Sequence, residues 1–149
     1  MAKIRVSKEF NFEMAHALKN YDGPCKNIHG HSYKLFVTVI GEPISDENNT
    51  KLGMLIDFGD LKKIVNKEIV DVFDHAFVLY VNSEFNCNEP GHEMFGKTIY
   101  VDYQPTCENL VIDFAEKLNS ILPATAKLHN LRLYETATSF AEWFASDNN

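Results

Sequence analysis

The chain has 149 residues, 45% of them hydrophobic and 23% charged, an ordinary balance for one globular domain that can bury a core without disulfide staples. Its formal charge of −7 argues against a nucleic-acid partner, which needs a basic face. Its longest apolar run, Ala76 to Val81, falls far short of the ~20 residues of a membrane helix. Three cysteines, a small and odd number, speak for a reducing compartment. With no apolar leader in residues 1–8, the expectation is a cytosolic protein of a single domain, 1–149.

In chain order, residues 9–17 alternate and predict a strand with Phe10, Phe12, Met14 and His16 on one face. A turn at Tyr21-Asp22-Gly23-Pro24 leads to a second strand in which Tyr33, Leu35, Val37 and Val39 share a face. His29 and His31 have the same parity, so antiparallel pairing brings His16 close to both. Gly41 to Lys51 reads as a solvated loop, and Met54–Asp57 as a short strand. Asp57 then caps a helix carrying Leu61, Ile64, Val65, Ile69, Val72 and Phe73. Ala76–Val81 is a strand, Ser83–Lys97 an irregular insertion and Thr98–Tyr103 another strand. Pro105-Thr106 opens a second helix with Leu110, Phe114, Leu118 and Ile121 on its buried stripe. Leu128–Thr136 is a strand, and Phe140–Phe144 either continues it or adds an edge strand. The order ββαββαββ predicts an α+β fold, an antiparallel sheet with two helices on one face.

The chemistry concentrates in Cys25-Lys26-Asn27-Ile28-His29-Gly30-His31 with His16. Two histidines two apart on a strand plus a third across a hairpin predict a three-nitrogen zinc site with an open position, the mark of a catalytic rather than a structural metal. Such an ion can polarise a hydroxyl or carbonyl. Cys25 is a general base or nucleophile beside that charge, or else a buried apolar cysteine. Cys87 and Cys107 fit a non-catalytic role. Asp74-His75, between a helix end and a strand, is a carboxylate–imidazole pair that can relay protons with Cys25. Glu135 shares the inward parity of Leu131 and Leu133. Either the register is off by one, or the carboxylate is kept for a ligand that offers N–H donors. Glu108 sits where an acid routinely serves a helix N-terminus. His92 and His129 are read as structural.

These elements together resemble the 6-pyruvoyltetrahydropterin synthase and 6-carboxytetrahydropterin synthase family. The matching stretches are Phe12-Glu13-Met14-Ala15-His16, Cys25-x3-His29-Gly30-His31-Ser32 and Ile56-Asp57-Phe58-Gly59-Asp60-Leu61-Lys62, followed by Asp74-His75, Pro105-Thr106-x-Glu108-Asn109 and Tyr134-Glu135-Thr136. They keep the family's order across about residues 10–136. The resemblance implies the tunnelling fold, a homo-oligomer, commonly a hexamer, with active sites between subunits, and a dihydroneopterin triphosphate substrate. It implies zinc on His16, His29 and His31, and Cys25 as the proton-abstracting base with Asp74 and His75 as its relay. Glu135 would anchor the pterin, with Glu108 at most in support. The three-residue gap between Cys25 and His29 resembles the carboxy-forming, queuosine-pathway branch, which also releases acetaldehyde. The alternatives are the pyruvoyl-forming branch, a non-catalytic pterin-binding module and a structural metalloprotein. Lys19, Lys26 and Lys34 are the basic residues available for the triphosphate.

Overall fold

A computed structural model of the chain describes residues 2–83 and 93–149. Cys87, His92 and most of the expected insertion at Ser83–Lys97 lie outside the described residues. The long hairpin foreseen near the N-terminus is the spine of the molecule. Strand β1 (Ile4–His16) pairs antiparallel with β2 (His29–Gly41) from Ile4 opposite Gly41 to His16 opposite His29. Alternation along both strands sends Phe10, Phe12, Met14, Tyr33, Leu35, Val37 and Val39 into the core. Strands β3 (Ala76–Tyr80), β4 (Thr98–Val101), β5 (Lys127–Tyr134) and β6 (Phe140–Phe144) complete one six-stranded sheet in the order β4-β3-β1-β2-β5-β6.

The sheet is mixed, which corrects the antiparallel expectation. β3 runs parallel to β1, and β4 parallel to β3. Tight hairpins force antiparallel neighbours, but parallel neighbours need a connection of about a dozen residues or more, and the long segments between β2 and β3 and between β3 and β4 supply it. The fold class stands as α+β.

The first helical segment comprises α1 (Phe58–Val65), a π-turn (Asn66–Val70) and α2 (Asp71–Phe73). Asp57 caps it as expected, its side chain accepting from Gly59 N at 2.6 Å. Its buried residues are Leu61, Val65, Ile69 and Phe73, a spacing of four throughout. Four-residue steps drift by about 40° each on a 3.6-residue helix, and the wider π-turn takes back part of that drift. Val72, expected on the buried stripe, is therefore exposed beside it.

Helix α3 (Cys107–Ile121) is capped by Thr106, which accepts from Asn109 N, and buries Leu110, Phe114 and Leu118 with Val111 and Ala115. Ile121, expected on that stripe, is exposed in the last turn, and Leu122 packs against the core instead. Met54–Asp57 is not a strand. Ile44 N donates to Met54 O, Gly53 N donates to Ile44 O, and Leu55 is buried under the end of β2. A Cβ at Gly41 would lie 2.5 Å from Leu55 Cδ1 and 2.1 Å from Thr125 O, so this crossing requires glycine. Both helical segments share one continuous core with the sheet. No helix among the described residues is long and apolar enough to cross a membrane.

Candidate functional site

The β1–β2 register brings the three histidines together. His16 closes β1 opposite His29, which opens β2, and His31 follows two residues later on the same face. The ring centroids lie 4.6 Å (His16–His29), 4.8 Å (His29–His31) and 5.2 Å (His16–His31) apart. One nitrogen from each falls within 4.8 Å of the others, the grouping among the described residues able to hold a metal ion.

The outer nitrogens decide what the inner ones present. His16 Nδ1 lies 2.6 Å from Pro105 O, and His29 Nδ1 lies 2.8 Å from Asn27 O. A carbonyl only accepts, so each Nδ1 carries the hydrogen and each Nε2 presents a lone pair. Those two Nε2 atoms sit 3.0 Å apart, an arrangement that repels until something positive lies between them. His31 Nε2 is buried without a hydrogen-bond partner. It is 3.2 Å from Glu135 Oε1, a contact of charge proximity rather than of hydrogen-bond geometry. Burial lowers the His31 pKa, Glu135 opposes that, and His16 and His29 lower it further. The ring is therefore neutral at pH 7, as a metal ligand must be. Three clustered imidazoles, two of them held by carbonyls at their outer nitrogens, fit a divalent cation such as zinc.

Glu135 lies directly beyond β5, in a turn where the N–H groups of Glu135 and Thr136 both donate to Ser139 O. Its Oε1 is 3.3 Å from His16 Nε2. The adjoining His16 imidazole lowers its pKa most, burial opposes this, and His31 and His29 lower it further. It is an ionised acid at the mouth of the imidazole cluster, on the inward side that its parity indicated.

Cys25 sits half-buried in a 3-10 turn, Pro24–Lys26, of the loop joining the two histidine strands. Its carbonyl accepts from Leu18 N, which closes that loop. Cys107 is buried, its Sγ–H donates to Leu133 O, and burial pushes its thiol up to about 11. That thiol stays protonated, in keeping with the non-catalytic reading. Glu108 is exposed in the first turn of α3, where its charge favours the helix end. His129 stands edge-on to Phe144 at 6.1 Å, a packing role.

Asp74 and His75 form a pair at the corner between α2 and β3, with Asp74 Oδ1 3.1 Å from His75 Nδ1. Asp74 Oδ1 also accepts from Glu13 N at 2.9 Å, and His75 N donates to Glu13 O at 2.6 Å. The Glu13 N–H, more than His75, holds the Asp74 carboxyl below its usual range. His75 adopts φ 60, a left-handed backbone that costs ~1–3 kcal/mol and concentrates at functional sites. Its side chain is 77% exposed. It lines a depression of about 330 Å³ with Glu13, Met14, Ala15, Gly30, His31 and Ser32, and, one residue before the Met14–Ala76 pair, it shares the parity of Glu13 rather than that of Met14 and His16. The Asp74–His75 pair and the three imidazoles thus open on opposite faces of β1–β2, so the structure does not bring the expected relay together on the imidazole face.

Lys34 is committed to Glu9 at 3.1 Å. Lys19 and Lys26 share a cavity of about 560 Å³ with Asn27 and Ile28, next to the loop between the histidine strands, and the Lys19 ammonium donates to Asn82 O. Two contributors escaped the sequence reading. Pro105 was read only as a helix opening, yet its carbonyl sets the His16 tautomer. Tyr33 was read as core, although its parity with His31 was the signal that it borders the cluster.

Comparison with known proteins places this arrangement. In fold, the chain is similar to an uncharacterized protein from Wolinella succinogenes, with a TM-score of 0.79 at 20% identity over 97% of this chain and 99% of that one. It is also similar to the 6-pyruvoyl tetrahydropterin synthase of Caenorhabditis elegans, with a TM-score of 0.68 at 25% identity over 97% of both chains. A mixed six-stranded sheet backed by helices, with a three-histidine cluster at one end of its hairpin, defines an enzyme of the tunnelling-fold type. The chain belongs to the 6-pyruvoyl tetrahydropterin synthase family, which it matches over residues 5–146. A 6-carboxy-5,6,7,8-tetrahydropterin synthase from Haemophilus influenzae is 38% identical over 142 residues, 94% of this chain and 98% of the relative.

Proposed function

We propose that this protein is a zinc-dependent lyase that converts 7,8-dihydroneopterin triphosphate to 6-carboxy-5,6,7,8-tetrahydropterin, triphosphate and acetaldehyde, in the cytosol and on the route to queuosine. One observation carries the metal half of this reading. The two Nε2 lone pairs of His16 and His29 face each other at 3.0 Å with both Nδ1 atoms committed to carbonyls, which a cation resolves. The named activity of the Haemophilus influenzae relative, similar along nearly its whole length, supports the substrate and product.

A zinc ion bound there would polarise side-chain oxygens of the substrate and ease loss of a neighbouring proton. Cys25, on the loop between the histidine strands, takes that proton. Cys107 is unsuited to the task because burial keeps it a thiol. Glu135, ionised and partly open, accepts from the pterin ring N–H and amino group in the bidentate manner of a carboxylate. Glu108, on the exposed turn of α3, supports that end. The Asp74–His75 pair exchanges protons with solvent and substrate. Because it opens on the far face of β1–β2, it serves the site of a neighbouring subunit in a homo-oligomer, commonly a hexamer in this family.

The test is anaerobic incubation of zinc-loaded protein with dihydroneopterin triphosphate, identifying products by mass and trapping acetaldehyde. Carboxytetrahydropterin with acetaldehyde is the expected outcome. A pyruvoyl product without acetaldehyde would move the protein to the activity named for the Caenorhabditis elegans relative, and absence of turnover with zinc bound would leave a pterin-binding module. In the same assay Cys25→Ala should abolish turnover and keep its zinc. Loss of zinc would instead make Cys25 a ligand.

A further inference from the structure

Tyr33 is among the most enclosed side chains in the molecule, 1% exposed. Its ring stacks on Phe12 at 5.1 Å and stands edge-on to His16 at 6.3 Å and to His31 at 5.6 Å. Those contacts need only a ring, and phenylalanine would make them all. The hydroxyl adds nothing to packing. It is buried and has no hydrogen-bond partner, a net cost to stability that a purely structural position would shed. Its neighbourhood is reactive: Tyr33 and Glu135 both border His16 and His31, the one through its ring and the other through Oε1.

In the arrangement described above, the Glu135 carboxylate rests against the Nε2 atoms of His16 and His31. His16 Nε2 presents a lone pair and the His31 contact lacks hydrogen-bond geometry, so neither ring donates to the carboxylate, with or without a cation, and Glu135 needs another donor. We propose that the Tyr33 hydroxyl is that donor: it holds one oxygen of Glu135 in the metal-loaded site, leaving the other oriented for the pterin. Tyr33 is then a positioning residue acting through Glu135, and this rests on the three-histidine metal reading. Among the described residues, the Cys107 thiol is already engaged with Leu133 O, and a phenol hydroxyl is a donor at neutral pH.

The experiment compares wild type, Tyr33→Phe, Glu135→Ala and the double variant, using Zn²⁺ alone as the probe in chelator competition and in thermal unfolding with and without the ion. Metal-free Tyr33→Phe should melt at or above wild type, since it sheds an unpaired hydroxyl, while its Zn²⁺ affinity falls about tenfold. In the Glu135→Ala background the same change should alter Zn²⁺ affinity less than about twofold, because the partner is gone. With dihydroneopterin triphosphate, Tyr33→Phe should raise KM about tenfold and keep kcat within about twofold. Unchanged Zn²⁺ affinity in Tyr33→Phe overturns the proposal. So does an equal loss with Glu135 absent, a lowered metal-free melting temperature, or a lowered kcat at constant KM. Wild-type protein that takes up no Zn²⁺ overturns the metal reading itself and this inference with it, an outcome distinct from the others.

Discussion

On the helix-packed face of the β1–β2 pair, His16, His29 and His31 are crowded, largely withdrawn from water and short of hydrogen-bond partners at their inner nitrogens. On the opposite face, His75 stands 77% exposed with one carboxylate at its Nδ1. Both settings arise from the same two strands, one residue out of phase. Two carbonyl acceptors at the outer nitrogens orient His16 and His29 with lone pairs aimed at a common point, which suits a cation. Exposure, a carboxylate partner and a strained corner suit a group that gains and loses protons. Residue type is the same on both faces; access to water and the second nitrogen's partner make the difference.

That contrast can be broken most decisively from the imidazole side. His29→Ala should lower zinc affinity more than about 100-fold, beyond the loss from removing an outer partner of a ligand, and abolish turnover. Full zinc content in the purified variant, measured by atomic emission, would place the metal elsewhere. The opposite face should respond with the reverse pattern. His75→Ala should reduce kcat by about 10²–10⁴-fold, the range of a general acid or base, with zinc content at the wild-type level. Zinc lost together with activity would mean that the two faces are not independent.

The smallest effect sharpens the comparison through stability. Asp74 has its pKa lowered from 3.8, first by the Glu13 N–H and then by His75, with burial opposing. A carboxyl held below its unfolded value stabilises the protein above that value, and the contribution disappears as pH falls through the depressed one. The stability advantage of wild type over Asp74→Asn should therefore be full at about pH 6 and shrink towards about pH 2. Urea unfolding at a series of pH values reads this directly, and an advantage that grows in acid would remove Asp74 from its bond to Glu13.

Much of this was legible without coordinates, and the boundary falls along a physical line. Strand alternation is a local property of the backbone, so the shared face of Phe12, Met14, His16, His29 and His31 followed from parity, and the cap Asp57 from side-chain chemistry beside an apolar periodicity. The inward carboxylate at Glu135 was also visible as a cost that needed a reason. Val72 and Ile121 misled because an ideal helical period ignores a π-turn and the point where a helix outruns its sheet. Met54–Asp57 misled because Leu55 is buried by a loop, which looks like a strand when only hydrophobicity is read.

What the sequence by itself determined is the inventory and the phase: which side chains are offered to which face of each strand. Only the tertiary structure decided that β3 and β4 run parallel to β1, that Asp74 and His75 open away from the imidazoles, and that the carbonyl of Pro105, 89 residues along the chain, holds His16 Nδ1. Phase is set by bonds between neighbouring residues. A partner that distant is chosen by how helices and strands pack their buried surfaces together, and no local pattern carries that choice.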